Sequence, residues 1–427
     1  MARRLMRGNG SSPDRDDVSV LFLSSNFPPE VNALANRTWE HAREWAREGG
    51  RISVVTGPPH FPEGTVYAGY RNALTRETID GVDVLRVPMY IAANAGFLRR
   101  TLSYLSYMAS AAWFAGRAPG HPEIVVASSP QFFAGLAGWL VARRLRRPFL
   151  LEVRDLWPES IVDVGAMRRG LLVRALERLE TFLYRAADHI VIVSPAFRQH
   201  IEARGVEPER ITVLPNGVDP EWFESGAPTG ELDALRAEFG LEDRFVASYI
   251  GTVGMAHGAT VVLEAAQRCA DTGVAWVVVG AGAEWDALRD RAEASALDNF
   301  WLVEKQSRHR TRLFYALSDV SIVHLLDRPA FQKVIPSKLF ECMGMRRPVV
   351  LAVPGQATEI LDRASGGISV APEDPDALLA AVLRLKEDPA LRRRLGDAGA
   401  EYVRENNDRR VIARRYLEVL QRVASAT

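Results

Sequence analysis

Short, almost uninterrupted runs of aliphatic and β-branched residues recur along this chain, and they come in two successive series. The first occupies residues 18–23, 51–56, 82–87, 123–127, 148–153, 189–193 and 211–214. The second occupies residues 245–250, 274–279, 300–303, 320–325, 348–352 and 367–370. A strand that is apolar on both faces has to be covered on both, which is the habit of parallel sheets. Longer segments of helical period lie between the runs, among them 34–48, 171–186, 260–271 and 283–294. Strand–helix–strand alternation predicts doubly wound α/β layers with helices on both sides of each sheet. At 427 residues the chain exceeds one ordinary core, so the two series read as two domains. Pro, Gly and Asp cluster at 215–228, which predicts domains over 18–220 and 221–407. Residues 1–17 are polar and Arg-rich and read as a flexible tail, with no apolar core of signal-peptide length. Residues 408–427 read as a final helix that crosses back to the first domain.

Composition removes several function classes. Lys+Arg and Asp+Glu both number 53, so the net charge is zero, whereas a nucleic-acid partner selects for a basic chain. The two cysteines, Cys269 and Cys342, form no CxxC and lie far apart, which argues against a disulfide framework or a metal site. Residence in the cytoplasm is the expectation.

In open α/β sheets ligands bind beyond the carboxyl ends of the strands, so two facing domains enclose a cleft bordered by post-strand loops. Four such loops stand out. After the first strand, Ser24-Ser-Asn-Phe-Pro-Pro-Glu30 leads to a helix starting near Asn32; either the loop is a plain strand-to-helix connection or Asn32 and Asn36 face a sugar acceptor. The segment Glu152-Val-Arg-Asp-Leu-Trp-Pro-Glu-Ser160 ends a buried strand in a burst of charge. Buried charge is costly unless paired, so either Arg154 and Asp155 pair with each other or the segment serves the acceptor side, with Arg154, Asp155 and Glu159 as the groups concerned. Gly251-Thr-Val-Gly-Met-Ala-His-Gly258 opens the second series, and its glycines permit close approach of a phosphate. It lacks the dinucleotide fingerprint, so a nicotinamide cofactor is not expected. In Phe331-Gln-Lys-Val-Ile-Pro-Ser-Lys-Leu-Phe-Glu341, Pro336 and Ser337 suit a helix start, and Glu341 follows one turn later. A phosphate at that helix start and a ribose against the Glu341 carboxylate make a sensible geometry, with Lys333 or Lys338 neutralising charge. The plain alternative is an amphipathic helix with surface lysines.

Taken in order, these segments carry a resemblance. Asp188-His-Ile-Val-Ile-Val-Ser194 and Ile211-Thr-Val-Leu-Pro-Asn-Gly-Val-Asp219, with the glycine loop and Pro336-Ser-Lys-Leu-Phe-Glu341, resemble the GT-B glycosyltransferases of family 4 over nearly the whole chain. Together Phe27-Pro-Pro-Glu30, Arg154-Asp-Leu-Trp-Pro-Glu159 and Pro336-Ser-Lys338 look like the branch of WbuB-type aminosugar transferases of bacterial surface polysaccharides. The resemblance implies two Rossmann-like domains and retaining, metal-independent transfer from a UDP-sugar to a lipid-linked or glycan acceptor, without a cofactor. It places Gly251, Thr252, Gly254, His257, Ser337 and Lys338 around the diphosphate, Glu341 on the ribose, and the base against the strand end at Leu302–Gln306, with Gln306 in contact. Asp155 and Lys333 are the candidate catalytic groups, and Asn32, Arg154 and Glu159 serve the acceptor. Two departures stand out: Lys333 occupies the earlier of two positions, eight apart, where relatives often carry glutamates, and the usual Arg and Lys after the glycine loop are absent.

Residues 101–116 hold no charge for 16 positions, behind Arg99 and Arg100. That is short of a spanning helix, so the stretch is either a buried helix or one lying on the inner membrane face. Two rival functions remain: a nucleotide-sugar 2-epimerase and a non-catalytic nucleotide-sugar-binding protein.

Overall fold

The computed structural model describes residues 18–92, 97–129, 132–163, 165, 167–219, 228–269 and 272–426; the tail reading and part of the predicted linker fall outside them. Two sheets form. The first has eight strands in the order β3-β4-β2-β1-β5-β6-β7-β8, and the second has six in the order β11-β10-β9-β12-β13-β14. In the first sheet β1 is Ser19–Leu23, β2 Arg51–Thr56, β3 Thr75–Ile79, β4 Val82–Arg86, β5 Ile124–Ser128, β6 Phe149–Val153, β7 His189–Ile192 and β8 Ile211–Val213. In the second, β9 is Phe245–Thr252, β10 Val274–Ala281, β11 Phe300–Glu304, β12 Val320–His324, β13 Val349–Ala352 and β14 Gly367–Ser369. All strand pairs are parallel except β3 with β4. The expected double α/β architecture is therefore present, and β3 is the strand the apolar pattern missed. Its residues are mostly exposed, so it carries no hydrophobic run to read.

Each sheet is buried on both faces. Leu21, Val125 and Leu151 of the first sheet point into one core, and Val20, Phe22, Val54 and Val126 point into another. The second core is closed by the helix Arg409–Ser425, which contributes Ile412, Tyr416 and Leu420. Trp45 Nε1 donates to Ala413 O at 2.9 Å, and its ring meets Tyr416 edge-on at 5.0 Å. The last helix thus packs on the first sheet, after helices Pro375–Glu387 and Pro389–Asn406 have served the second.

The chain passes between the sheets twice, and the two passages run side by side. Val218 N donates to Asn407 O at 2.9 Å, and Arg409 N to Val218 O at 3.1 Å. A Cβ on Gly217 would stand 2.6 Å from Asn407 O, so the passages touch at backbone distance only because this residue is glycine. A buried charge network frames them. Arg37 Nε meets Glu152 Oε1 at 2.8 Å, and the same guanidinium donates to Leu214 O, Pro215 O and Asn216 Oδ1. Arg43 and Arg308 converge on Asp219 at 2.9 and 3.3 Å, and Arg308 and Arg409 on Glu40 at 3.1 and 2.9 Å.

Candidate functional site

The carboxyl ends of β9 and β10 meet the start of helix Ser337–Gly344 at a cleft of about 340 Å3. Gly251 and Gly280 sit opposite each other in the β9–β10 register. Gly251 has φ 136°, and a Cβ on Gly280 would lie 1.9 Å from Gly251 O. Side chains are excluded at both positions, so the cleft floor is bare backbone. The expected glycine loop begins inside the strand, because β9 extends to Thr252.

Lys338 is the group that most distinguishes this floor. Its Nζ is buried, lies 3.7 Å from the centroid of the Tyr249 ring and has no hydrogen-bond partner. A Cβ on Gly251 would be 3.4 Å from that Nζ, so the ammonium stands directly beside the bare backbone. Burial pushes its pKa down to about 7, partly opposed by Cys342 and Glu341. Tyr249 is held in turn by its hydroxyl, which donates to Thr252 O at 2.6 Å.

Two histidines brace the loop after β9. His257 N donates to Gly254 O at 2.8 Å, closing the turn, and His257 O lies 2.7 Å from His324 Nδ1. Glu373 N donates to His324 Nε2 at 2.9 Å. These two bonds select the neutral His324 tautomer with the proton on Nδ1. The His257 ring lines the cleft; burial, with Lys338 beside it, pushes its pKa down to about 3, so it is neutral at physiological pH. Glu341 accepts a 2.9 Å hydrogen bond from the Tyr315 hydroxyl at Oε2, and burial raises its pKa. Gln306 and Lys305, just past β11, complete this side of the cleft.

The first domain contributes Asn32, Asn36 and Phe61 to the same cleft. Asn32 caps helix Ala33–Arg47, with Oδ1 accepting from Leu34 N and Ala35 N, while its Nδ2 is buried without a partner. A second pocket of about 370 Å3 opens from this point and shares Asn32, Phe61 and Thr252 with the first. It contains Asp155, Trp157, His60, Arg100 and Tyr104. Asp155 Oδ2 accepts from Ser160 Oγ at 2.9 Å, and burial raises its pKa. Glu30 organises the rim: Oε1 accepts from His60 N and Phe61 N, and Oε2 from Phe27 N and Asn26 Nδ2. The Phe27–Glu30 motif is therefore scaffold for two loops, and it is through Glu30 that Phe61 reaches the cleft.

Four of the singled-out residues stand elsewhere. Lys333 Nζ pairs with Glu159 Oε1 at 3.0 Å across the domain interface, and neither residue lines the two pockets. Glu159 also meets His200 Nδ1 at 3.3 Å. Beside this pair Ser194 Oγ donates to Lys333 O at 2.6 Å and Ala330 N to Asp163 Oδ2 at 3.0 Å, so the turn Pro329–Lys333 is clamped to the first domain. Arg154 does not pair with Asp155; it donates to Ala33 O at 2.8 Å and lines a small polar cavity with Arg37, Glu40, Asp219 and Arg409. Gly254 shapes the turn without lining the cleft. Sequence reasoning missed Tyr249, Tyr315, Phe61, Lys305 and Arg100. The first two are core residues in any one-dimensional reading, and Phe61 lies in a segment without a motif. Lys305 falls within the strand end 302–306 expected to face the base, and Arg100 stands out in the sequence only as flanking the uncharged stretch 101–116.

The comparisons agree with this geometry. Residues 32–217 match the family described as Glycosyl transferase 4-like domain, and residues 233–402 the one described as Glycosyl transferases group 1. Between them the two matches take in every strand of both sheets except β1, and the chain belongs to the family 4 glycosyltransferases of GT-B fold. It is an enzyme of the glycosyltransferase class. It is similar to the putative colanic acid biosynthesis glycosyl transferase WcaI of Escherichia coli, 24% identical over 86% of this chain and 91% of that protein. It is also 24% identical to the probable glycosyltransferase WbjE of Pseudomonas aeruginosa, over 54% of this chain and 58% of that protein. In fold it resembles the sucrose-phosphate synthase of Thermosynechococcus elongatus, with TM-score 0.76, 16% identity, and coverage of 96% of this chain and 100% of that one. HepE of Anabaena in complex with UDP-glucose aligns with TM-score 0.71 and 16% identity, over 94% of this chain and 99% of that one.

Proposed function

We propose that the chain is a retaining glycosyltransferase that moves a sugar from a UDP-sugar onto a lipid-linked or glycan acceptor in surface-polysaccharide synthesis. The observation that carries this reading is the buried, unpartnered Lys338 ammonium beside the bare Gly251–Gly280 backbone, at the head of the helix that presents Ser337 and Glu341. An isolated buried cation is unfavourable in the free protein and favourable once a diphosphate meets it. Fold neighbours solved with UDP and UDP-glucose support uracil as the base. The name of WcaI supports polysaccharide synthesis. The resemblance of Phe27–Glu30, Arg154–Glu159 and Pro336–Lys338 to the WbuB-type branch supports an N-acetylated aminosugar as donor.

Retaining transfer breaks the bond from sugar C1 to the β-phosphate oxygen and forms one from C1 to the acceptor oxygen on the same face. The acceptor hydroxyl proton passes to the departing phosphate oxygen. Lys338 and the first-turn amides of Ser337–Gly344 stabilise the charge on that leaving group, and no metal is required. Glu341 accepts from the ribose hydroxyls. In the second pocket Asp155 orients the acceptor hydroxyl, with Asn32 at the junction. Lys333 acts by clamping the domains. The adjoining second pocket is what a transferase needs and a 2-epimerase does not. The helix Phe97–Phe114 buries Tyr107 and Ala111 and exposes Leu102 (48%) and Trp113 (69%), a face suited to the headgroup layer of the inner membrane surface. No helix among the described residues is long and apolar enough to cross a membrane. A thermal-shift screen of nucleotide-sugars tests the proposal: stabilisation by UDP-sugars is expected, and no shift with any nucleotide-sugar overturns it.

A further inference from the structure

With the donor cleft assigned, one cation near the reaction centre has no task. Arg100 stands on the first turn of helix Phe97–Phe114 and lines the acceptor pocket with Ser103 and Tyr104. Its charge is close enough to Tyr104 to act on that hydroxyl. Among the described residues its guanidinium has no hydrogen bond and no ion pair. Several other polar groups of this pocket are engaged, while Asn32 Nδ2, at the junction with the first cleft, is buried without a partner. Ser25 Oγ donates to Asn26 Oδ1 at 3.1 Å, Asn26 Nδ2 to Glu30 at 3.0 Å, and His60 Nδ1 lies 2.8 Å from Pro58 O. The pocket thus offers an incoming molecule a carboxyl group at Asp155 and an unengaged guanidinium fork at Arg100.

A neutral sugar makes poor use of that fork, whose planar donors match the oxygens of a phosphate. The placement of Arg100 also bears on the source of the phosphate. Leu102 and Trp113, on the same helix, are exposed to solvent, whereas Arg100 reaches into the pocket. A phosphate held there would lie between the reaction centre and the outward apolar face.

We infer that the acceptor carries a phosphate group, which Arg100 binds while Asp155 holds the hydroxyl that is glycosylated. This rests on the transferase reading above, and it adds a charge requirement for the acceptor. The full chain, saturated with UDP so that the diphosphate site is filled, is titrated with glucose 1-phosphate, decyl phosphate, methyl glucoside and methyl glucuronoside. Both phosphates are expected to bind at least tenfold more tightly than the glucoside and the glucuronoside. Arg100→Gln should weaken both phosphates about tenfold or more, and Arg100→Lys should restore part of the loss. UDP binding should be unchanged in both variants, which also reports that they fold. Tighter binding of decyl phosphate, abolished by Leu102→Glu with Trp113→Glu, assigns the phosphate to a lipid carrier. Tighter binding of glucose 1-phosphate assigns it to a soluble sugar phosphate. The inference is overturned if Arg100→Gln binds the phosphates as wild type does, or if the glucoside or glucuronoside binds equally well. Failure of UDP itself to bind would instead remove the donor assignment.

Discussion

Lys338 joins a cost in the free protein to a gain in the complex. Its ammonium is buried against the Tyr249 ring with no hydrogen-bond acceptor. Lys338→Met keeps the volume and removes the charge, so the melting temperature should stay level or rise while UDP-sugar affinity falls about 10- to 100-fold by calorimetry. The pH dependence has a definite sign. With its folded pKa near 7 against an ordinary 10.5, the lysine binds its proton in the unfolded chain but not in the free folded protein between those values. Stability of the free protein should therefore rise across that window, and Lys338→Met should flatten the rise. Binding a diphosphate favours the protonated form, so UDP-glucose affinity should be level below about pH 7 and fall above it, with proton uptake visible as a buffer-dependent heat. Glu341, held by Tyr315, makes a separate prediction. Glu341→Gln should erase the preference for a UDP-sugar over its 2′-deoxy counterpart, and a preserved preference would move the ribose elsewhere.

At the scale of single elements, the turn Pro329–Lys333 and the helix Glu159–Asp163 act as one clamp. Lys333 and Glu159 are 33% and 27% exposed, so solvent screens the pair, and Glu159→Gln should cost about 0–1 kcal/mol of stability. If Lys333 met the diphosphate directly, Lys333→Ala would weaken UDP binding as strongly as Lys338→Met; the clamp geometry predicts a much smaller loss. The helix Phe97–Phe114 belongs to this scale as well. Tyr104 faces the acceptor pocket, so a membrane test must alter Leu102 and Trp113. Wild type should co-sediment with anionic liposomes and Leu102→Glu with Trp113→Glu should not; equal sedimentation would place the helix away from the bilayer.

At the scale of the whole molecule, the two sheets are tied together by the paired crossovers and the buried charges around them. Arg37 serves one carboxylate and three further acceptors, all from segments more than a hundred residues away. Arg37→Met leaves Glu152 buried with Ser128 as its remaining side-chain partner, and denaturant unfolding should show a loss of about 3–5 kcal/mol.

The sequence by itself determined thirteen of the fourteen described strands, their order along the chain and much of the lining of the cleft at the ends of β9 and β10. These rest on local rules: apolar runs make buried strands, and Gly251, Ser337 and Glu341 lie in loops and a helix start that can be read a few residues at a time. Even Asn32 was legible, because a helix cap is a local device. The tertiary structure alone decided where the charges went. Lys333 and Glu159 are 174 positions apart, and their pairing took both out of the reaction centre. Arg100 lines the second pocket together with His60 and Phe61, whose backbone Glu30 holds, and β3 formed by pairing with β4 without any apolar pattern of its own. A charged side chain takes whichever partner the fold brings within a few ångströms, and that distance is set by packing, not by spacing along the chain.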